Sequence, residues 1–435
     1  MGCVIRDVVA DLIARDRAHL WHPYTQAQTA VAPLPIVRGE GVYLYTEDGR
    51  RILDAISSWW VNIHGHSHPA LNAALAAQAG RLEHVLFAGC THPPAVELAE
   101  LLVALLPRGA AALGAPPHLT RVFYSDNGST AVEVALKMAL QYWRNRGTPR
   151  TAFVALDGAY HGDTVGAMSV SAASVFTAAF EPMLFPIARV PSAEALAAHL
   201  RADGGAVAAV IVEPMIQGAG GMIIRPAEFL ATCRRLCDEH GTLLIADEVF
   251  TGFGRTGKMF ACEHAGISPD IICLSKALTA GYLPLGATVA TEPIYEAFLS
   301  DDRAKTFFHG HSFTANPLAC AVAIASLDLF AQGDVLGRVR RLQAQMTVAL
   351  APLSGLESVA DVRVLGGVGA IELHTGAGGY LDGVGPRLAA EFLQRGLLLR
   401  PLGNVLYFMP PYVITDEEAA WALDQIVDVV GSVRL

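Results

Sequence analysis

A lysine placed directly behind a run of core-type residues is out of place unless chemistry needs it there. Lys276 follows Asp270–Ser275 (DIICLS). An amine withdrawn from water gives up its proton more readily and becomes a nucleophile toward an aldehyde. Asp247 ends a second apolar run, Thr242–Ala246 (TLLIA), 29 residues earlier, a gap that suits one crossover between parallel strands. Asp126–Thr130 (DNGST) stands between RVFYS and the helical pattern of Ala131–Arg144, so Gly128 and Ser129 open a helix whose free amides suit a phosphate. Tyr160 and His161 follow TAFVAL in DGAYHGDT and offer rings on which a flat heterocycle can stack. Taken singly, each has an ordinary explanation as a surface lysine, a helix cap or core rings. Together, an imine-forming amine, an acid for a ring nitrogen, a phosphate seat and a ring face fit pyridoxal 5′-phosphate (PLP).

These groups need a scaffold that brings distant strand ends together. Between about residues 120 and 290, short apolar runs alternate with helical patterns: RVFYS, TAFVAL, AAVIV, TLLIAD and DIICL are the strand candidates. That rhythm predicts an α/β fold with a mostly parallel sheet, and ligands of such sheets sit at the carboxyl ends of the strands. Residues 36–54 read as a β-hairpin turning at EDG, and a helix is expected to start near Gly385 among the strands of 361–409. The 435 residues exceed one compact core. The expected division is an N-terminal segment (1–75) contributing to a small α+β domain, a large cofactor-binding domain (76–329) and a C-terminal part of the small domain (330–435).

The formal charge of −10, with no Lys/Arg run, argues against nucleic acid and anionic lipid and for a small-molecule substrate. Long uncharged stretches such as Thr306–Leu327 are broken by Gly, Pro, Asn, His or Ser, so no membrane span is expected. Arg6, Asp7 and Asp11 interrupt any signal-peptide core, which points to the cytoplasm. Seven cysteines without a C-x-x-C pair predict reduced, mostly buried thiols.

The stretch LIADEVFTGFGRTGKMFACEHAGISPDIICLSKALTAGYLPLGA, together with VEPMIQGAGGM, SDNGSTAVEVALKMA, YHGDTVGAMS and HGHSFTANPLACAVA, resembles the class III (ω-type) aminotransferases of PLP fold type I, in order and spacing over nearly the whole chain. The resemblance implies that Lys276 holds the cofactor and moves the proton in the 1,3-shift, with Asp247 on the ring nitrogen. It further implies Gly128 and Ser129 on the phosphate, Tyr160 or His161 facing the ring, and a homodimer in which Ser312 reaches the neighbouring subunit's phosphate. Many relatives carry Thr at that position, and Ser keeps the hydroxyl while losing the stiff rotamer.

Three further segments narrow the resemblance: Leu20–Thr25 (LWHPYT), Ser57–Trp60 (SSWW) followed by His64–Pro69 (HGHSHP), and Arg400–Gly403 leading into Tyr407–Tyr412 (YFMPPY). They are similar to the branch of the family that aminates 7-keto-8-aminopelargonate in biotin biosynthesis, with S-adenosylmethionine as the usual amino donor and lysine in a subgroup. A long aliphatic acid calls for an apolar wall and one distant cation. Tyr24, Trp59, Trp60 and Tyr407 are expected in the wall, with Arg400 on the carboxylate. Gly310 is expected beside the substrate and His311 beside the cofactor; some members have Pro where His311 stands, which leaves the donor open. The alternatives are another ω-aminotransferase, of amine, ornithine or γ-aminobutyrate type, and, from a different class, a metallohydrolase built on the pairs His64/His66 and His309/His311.

Overall fold

The computed structural model describes residues 12–109, 118–376 and 378–433; the N-terminal reading of residues 1–11 and Cys3 lie outside them. All five apolar runs become strands of a single sheet, joined by two more. In chain order these are β1 (Leu119–Ser125), β2 (Ala152–Leu156), β3 (Ala188–Val190), β4 (Val207–Val212), β5 (Leu243–Asp247), β6 (Ile271–Leu274) and β7 (Gly286–Thr291). They lie side by side as β1-β7-β6-β5-β4-β2-β3. The pairs β2/β3, β2/β4, β4/β5 and β5/β6 are parallel. Only β7 runs against its neighbours β6 and β1. The short return from Lys276 to Gly286 is too brief for a crossover helix, so the chain must come back antiparallel.

Every residue of β4 and β5 is buried, as a sheet covered on both faces requires, and this is why these strands read as unbroken apolar runs. The helix α1 (Gly128–Asn145) lies on one face through Ala131, Val132, Ala135, Ala139, Tyr142 and Trp143, the three-to-four spacing of an amphipathic helix. Its N-cap is Asn127, whose side chain accepts the Thr130 N–H while the Thr130 hydroxyl accepts the Asn127 N–H. This reciprocal cap fixes where the first free amides of α1 point.

The expected hairpin is one strand richer. Ile36–Glu40, Tyr43–Thr46 and Arg51–Asp54 form an antiparallel meander, because Gly41, with φ 56°, turns the chain before the EDG turn does. Leu397–Leu398 from the far end of the sequence adds in parallel beside Arg51–Asp54, with Leu397 opposite Leu53. Val359–Leu365, Val368–Leu373 and Val405–Phe408 form a second small sheet, and the helix near Gly385 spans Val384–Gln394. Five of the six described cysteines are buried and none is paired. Among the described residues no single helix is long and apolar enough to cross a membrane.

Candidate active site

The carboxyl ends of β1, β2, β4, β5 and β6 open into one cavity of about 700 Å³. Gly128, Ser129, Tyr160, His161, Glu213, Asp247 and Lys276 all line it, as do Tyr24, Trp59 and Trp60 from the N-terminal part of the chain. Residues up to 378 positions apart therefore converge, since Tyr24 and Leu402 both line the cavity.

Lys276 follows β6 with φ 42°, a left-handed turn that aims the side chain back into the cavity. Its Nζ lies 4.8 Å from the centre of the Trp60 ring and 5.7 Å from that of Phe250. Burial holds the ammonium below the usual lysine range and Arg255 adds to this, while Asp247 and Glu213 oppose it. The result is an amine readied to lose its proton. Asp247 is buried at the last position of β5. Its Oδ2 accepts from His161 Nδ1 at 2.7 Å and its Oδ1 from the Val249 N–H at 3.1 Å. Tyr160 and His161, the two rings expected toward the cofactor, both line the cavity; His161 is buried against Asp247, with Nε2 unpartnered among the described residues, so the acid is held from the side while it borders the cavity.

At the start of α1 the approach is close enough to exclude larger residues. A Cβ on Gly128 would come within 2.5 Å of Val249 Cγ1. Gly162 has φ 128°, and a Cβ there would meet Ser129 Oγ. Ser129 Oγ accepts the Asp163 N–H at 2.9 Å, which ties the Tyr160 turn to the helix start. The amides of Gly128 and Ser129 precede the first intrahelical bonds and remain free to bind an anion.

The opposite wall is aromatic. Tyr24 and Tyr160 both donate to Asp163, Tyr160 at 2.9 Å, and their hydroxyls lie 3.1 Å apart. Burial and Asp163 push the Tyr24 phenol up to about 12, so it stays a donor. Trp59 stands edge-on to Tyr24, with ring centres 5.4 Å apart. Trp60 donates its indole N–H to the Tyr407 hydroxyl at 3.1 Å. Both tryptophans line the cavity, whereas Tyr407 stands behind Trp60 and supports it. Arg400 lies outside the lining, with its guanidinium 4.1 Å from the centre of the Trp59 ring and 3.4 Å from the Tyr380 hydroxyl. It has no carboxylate partner among the described residues.

Gly310, His311 and Ser312 do not line the cavity of their own chain; Gly310 and Ser312 are exposed on a loop where the His311 N–H donates to Thr314 Oγ1. The paired histidines do not assemble either. His64 bonds the Ser326 carbonyl, His66 bonds Asp54 and Asn62, and His309 bonds Lys137. Among the described residues no group of three or more metal-type ligands forms. The metallohydrolase alternative therefore loses its site.

Several lining residues carry no sequence expectation. Glu213 extends β4 and was legible by the same signal as Asp247, an acid ending an apolar run. Asp163 was within reach as the fourth residue of the Tyr160 turn. Phe176, Phe250 and Tyr380 have no local signal at all. Glu213 accepts the Tyr160 and Gly218 N–H groups at 2.9 Å each, and burial raises its carboxyl to about 7. A carboxyl raised in the fold binds its proton more tightly there than in the unfolded chain. Its stabilising contribution is complete below about pH 4.5 and disappears as pH rises through 7. Glu213→Gln is expected to remove this slope, so that denaturation at pH 5 and pH 8 shows the wild type losing up to about 3 kcal/mol relative to the variant. Equal pH trends in the two proteins would refute it.

The aminotransferase class-III family model matches residues 24–430. The adenosylmethionine-8-amino-7-oxononanoate aminotransferase of Synechococcus elongatus is 50% identical over 95% of this chain and 99% of its own. This chain is a class-III aminotransferase. Among solved structures, the adenosylmethionine-8-amino-7-oxononanoate aminotransferase of Methanocaldococcus jannaschii resembles the aminotransferase with a TM-score of 0.92 at 38% identity, covering 98% of this chain and 99% of that one. A PLP-bound amine transaminase from an uncultivated Pseudomonas species gives 0.86 at 35% identity, covering 95% and 98%. PLP is the cofactor of such enzymes, and the aminotransferase fits it: free helix-start amides behind a glycine that a Cβ would block, a buried acid braced by His161, and a desolvated lysine.

Proposed function

We propose that this aminotransferase transfers an amino group from S-adenosylmethionine to the keto carbon of 7-keto-8-aminopelargonate, giving 7,8-diaminopelargonate for biotin synthesis. The observation that carries the reading is the aromatic lane of Trp60, Trp59 and Tyr24 between the Lys276 amine and the Arg400 guanidinium. It suits a ligand with a reactive carbonyl at one end, an aliphatic middle and a carboxylate at the other. The relatives that carry the activity in their names support the same choice.

In this reading the large domain over 76–329 holds the cofactor, and the small domain is built from both chain ends. When bound, PLP supplies an electron sink for the substrate carbanion. Lys276 Nζ would take the proton from the substrate carbon that bears the nitrogen and deliver it to the cofactor end of the 1,3-shift, and its lowered basicity keeps the amine free to do so. Asp247 keeps a proton on the ring nitrogen, and His161 keeps Asp247 in place. Gly128 and Ser129 hold the phosphate, and the aromatic wall keeps water from the reacting carbon. Ser312, His311 and Gly310 act in the neighbouring subunit of a cytoplasmic homodimer, consistent with their absence from the cavity of their own chain.

Donor and acceptor take turns in one cavity, so initial-rate plots at several donor concentrations are expected to be parallel; intersecting lines would defeat the shared cavity. Arg400→Ala is expected to lower kcat/KM for 7-keto-8-aminopelargonate about 100-fold, the worth of a lost charge-assisted pair, while the half-reaction with the donor changes less than about 5-fold. Equal losses in both would remove Arg400 from the carboxylate. Offering S-adenosylmethionine, lysine and alanine separately to the cofactor-loaded enzyme in single turnover identifies the donor.

A further inference from the structure

Four successive residues, none of them glycine, have φ on the left-handed side: Ser57 at 51°, Ser58 at 44°, Trp59 at 67° and Trp60 at 77°. Ser58 and Trp59 complete the geometry with ψ of 55° and 47°. Trp60 N–H and Val61 N–H donate to the Ile56 and Ser57 carbonyls, both at 2.9 Å. Ser57–Trp60 is thus one turn of left-handed helix, a conformation L-residues avoid because Cβ crowds the next carbonyl oxygen. Such a turn persists only where its surroundings over-determine it.

The surroundings centre on Asp54, which is fully buried and does not line the cavity. Its Oδ1 accepts the Ser58 N–H at 2.9 Å and the Ile56 N–H at 3.3 Å, and its Oδ2 accepts Ser58 Oγ–H at 2.7 Å. His66 Nε2 lies 2.9 Å from the same Oδ2, and its Nδ1 is 3.1 Å from Asn62 Nδ2. Ser57 Oγ–H donates to the Met409 carbonyl at 2.7 Å. Both indoles reach the cavity from this turn, Trp59 under Arg400 and Trp60 against Lys276.

We propose that Asp54, braced by His66, is a positioning residue for transamination: it holds the left-handed turn that sets Trp59 and Trp60 along the substrate lane. The inference rests on the reading of that lane as the seat of the keto acceptor. The test is Asp54→Asn in the holoenzyme, which keeps the volume but presents an amide to donors that need an anion. Lost charge-assisted bonds predict a KM for 7-keto-8-aminopelargonate raised about 10-fold or more with kcat within about 3-fold. The cofactor absorbance should be retained, and amide exchange over residues 56–61 should become faster. Adding Ser58→Gly should bring KM back to within about 3-fold of wild type, since glycine enters the left-handed region freely; a residue that merely fills space would not be rescued by removing atoms.

Unchanged exchange over 56–61 in a folded Asp54→Asn protein would overturn the hold on the turn, and so would faster exchange that Ser58→Gly fails to correct. Faster, correctable exchange with an unchanged KM would instead overturn the acceptor reading of the lane and the positioning role with it. If Asp54→Asn does not fold, Ser58→Ala, which removes only the hydroxyl bond, should raise KM about 3-fold; no change in KM or exchange would overturn the proposal.

Discussion

Replacing Lys276 by Ala is expected to lower turnover by about 10⁴-fold or more, because one side chain supplies both the anchor and the proton carrier. The expectation comes from its place. Lys276 is the amine that Asp247 and Glu213 hold in partial balance against burial, packed over Trp60. Lys276→Arg should fail as completely, since a guanidinium does not give up its proton near neutral pH. The same variants report without turnover. Borohydride reduction should fix the cofactor to the peptide bearing Lys276 in the wild type and to no peptide in either variant, read by mass. Activity within 10-fold of wild type in Lys276→Ala, or a label elsewhere, would remove Lys276 from this role.

Asp247→Asn is the second large effect, expected to cost about 10²–10³-fold in turnover, the scale seen when one preorganised charge is removed from a transition state. Asn retains an oxygen for the His161 N–H, so the local packing should survive while the anion is lost. A neutral partner cannot keep the ring nitrogen protonated, and the electron sink weakens. This makes a specific prediction: a cofactor methylated on the ring nitrogen, permanently cationic, should lose little with Asp247→Ala, where space for the methyl group is made, and should recover part of the activity. No recovery, together with normal binding of the methylated cofactor, would place the importance of Asp247 in structure alone.

Much of this site was legible because its signals are local. Lys276, Asp247, Tyr160 and the Gly128–Ser129 turn each stand at the end of an apolar run, and a run of that kind declares a strand by itself. Once the strands are parallel, their carboxyl ends must meet, and the pairing of Asp247 with Cys273 across β5 and β6 follows from chain direction more than from any special contact. The antiparallel return of β7 was less visible, because GATVAT has no alternation to mark it, although every residue of it is buried.

What the chain order could not contain is the set of contacts between residues that are distant in sequence. Tyr24 reaches Asp163 across 139 positions, and Trp60 reaches Tyr407 across 347. Such pairings depend on how distant segments of the chain pack together, and no periodicity encodes them. His161 shows the limit at short range. Its position beside Tyr160 offers a second ring at the same strand end, and only the fold shows that its Nδ1 bonds Asp247. The left-handed turn at Ser57–Trp60 is the strongest case, since nothing in SSWW departs from ordinary right-handed preferences, while in the fold Asp54 and the Met409 carbonyl bond it. Residue order alone thus determined the sheet, the cofactor and the chemistry at its strand ends, because apolar runs and their terminal polar groups act locally. Tertiary packing alone decided which rings line the cavity and which stand behind them, because that choice is made by hydrogen bonds and steric contacts that exist only after the chain has closed.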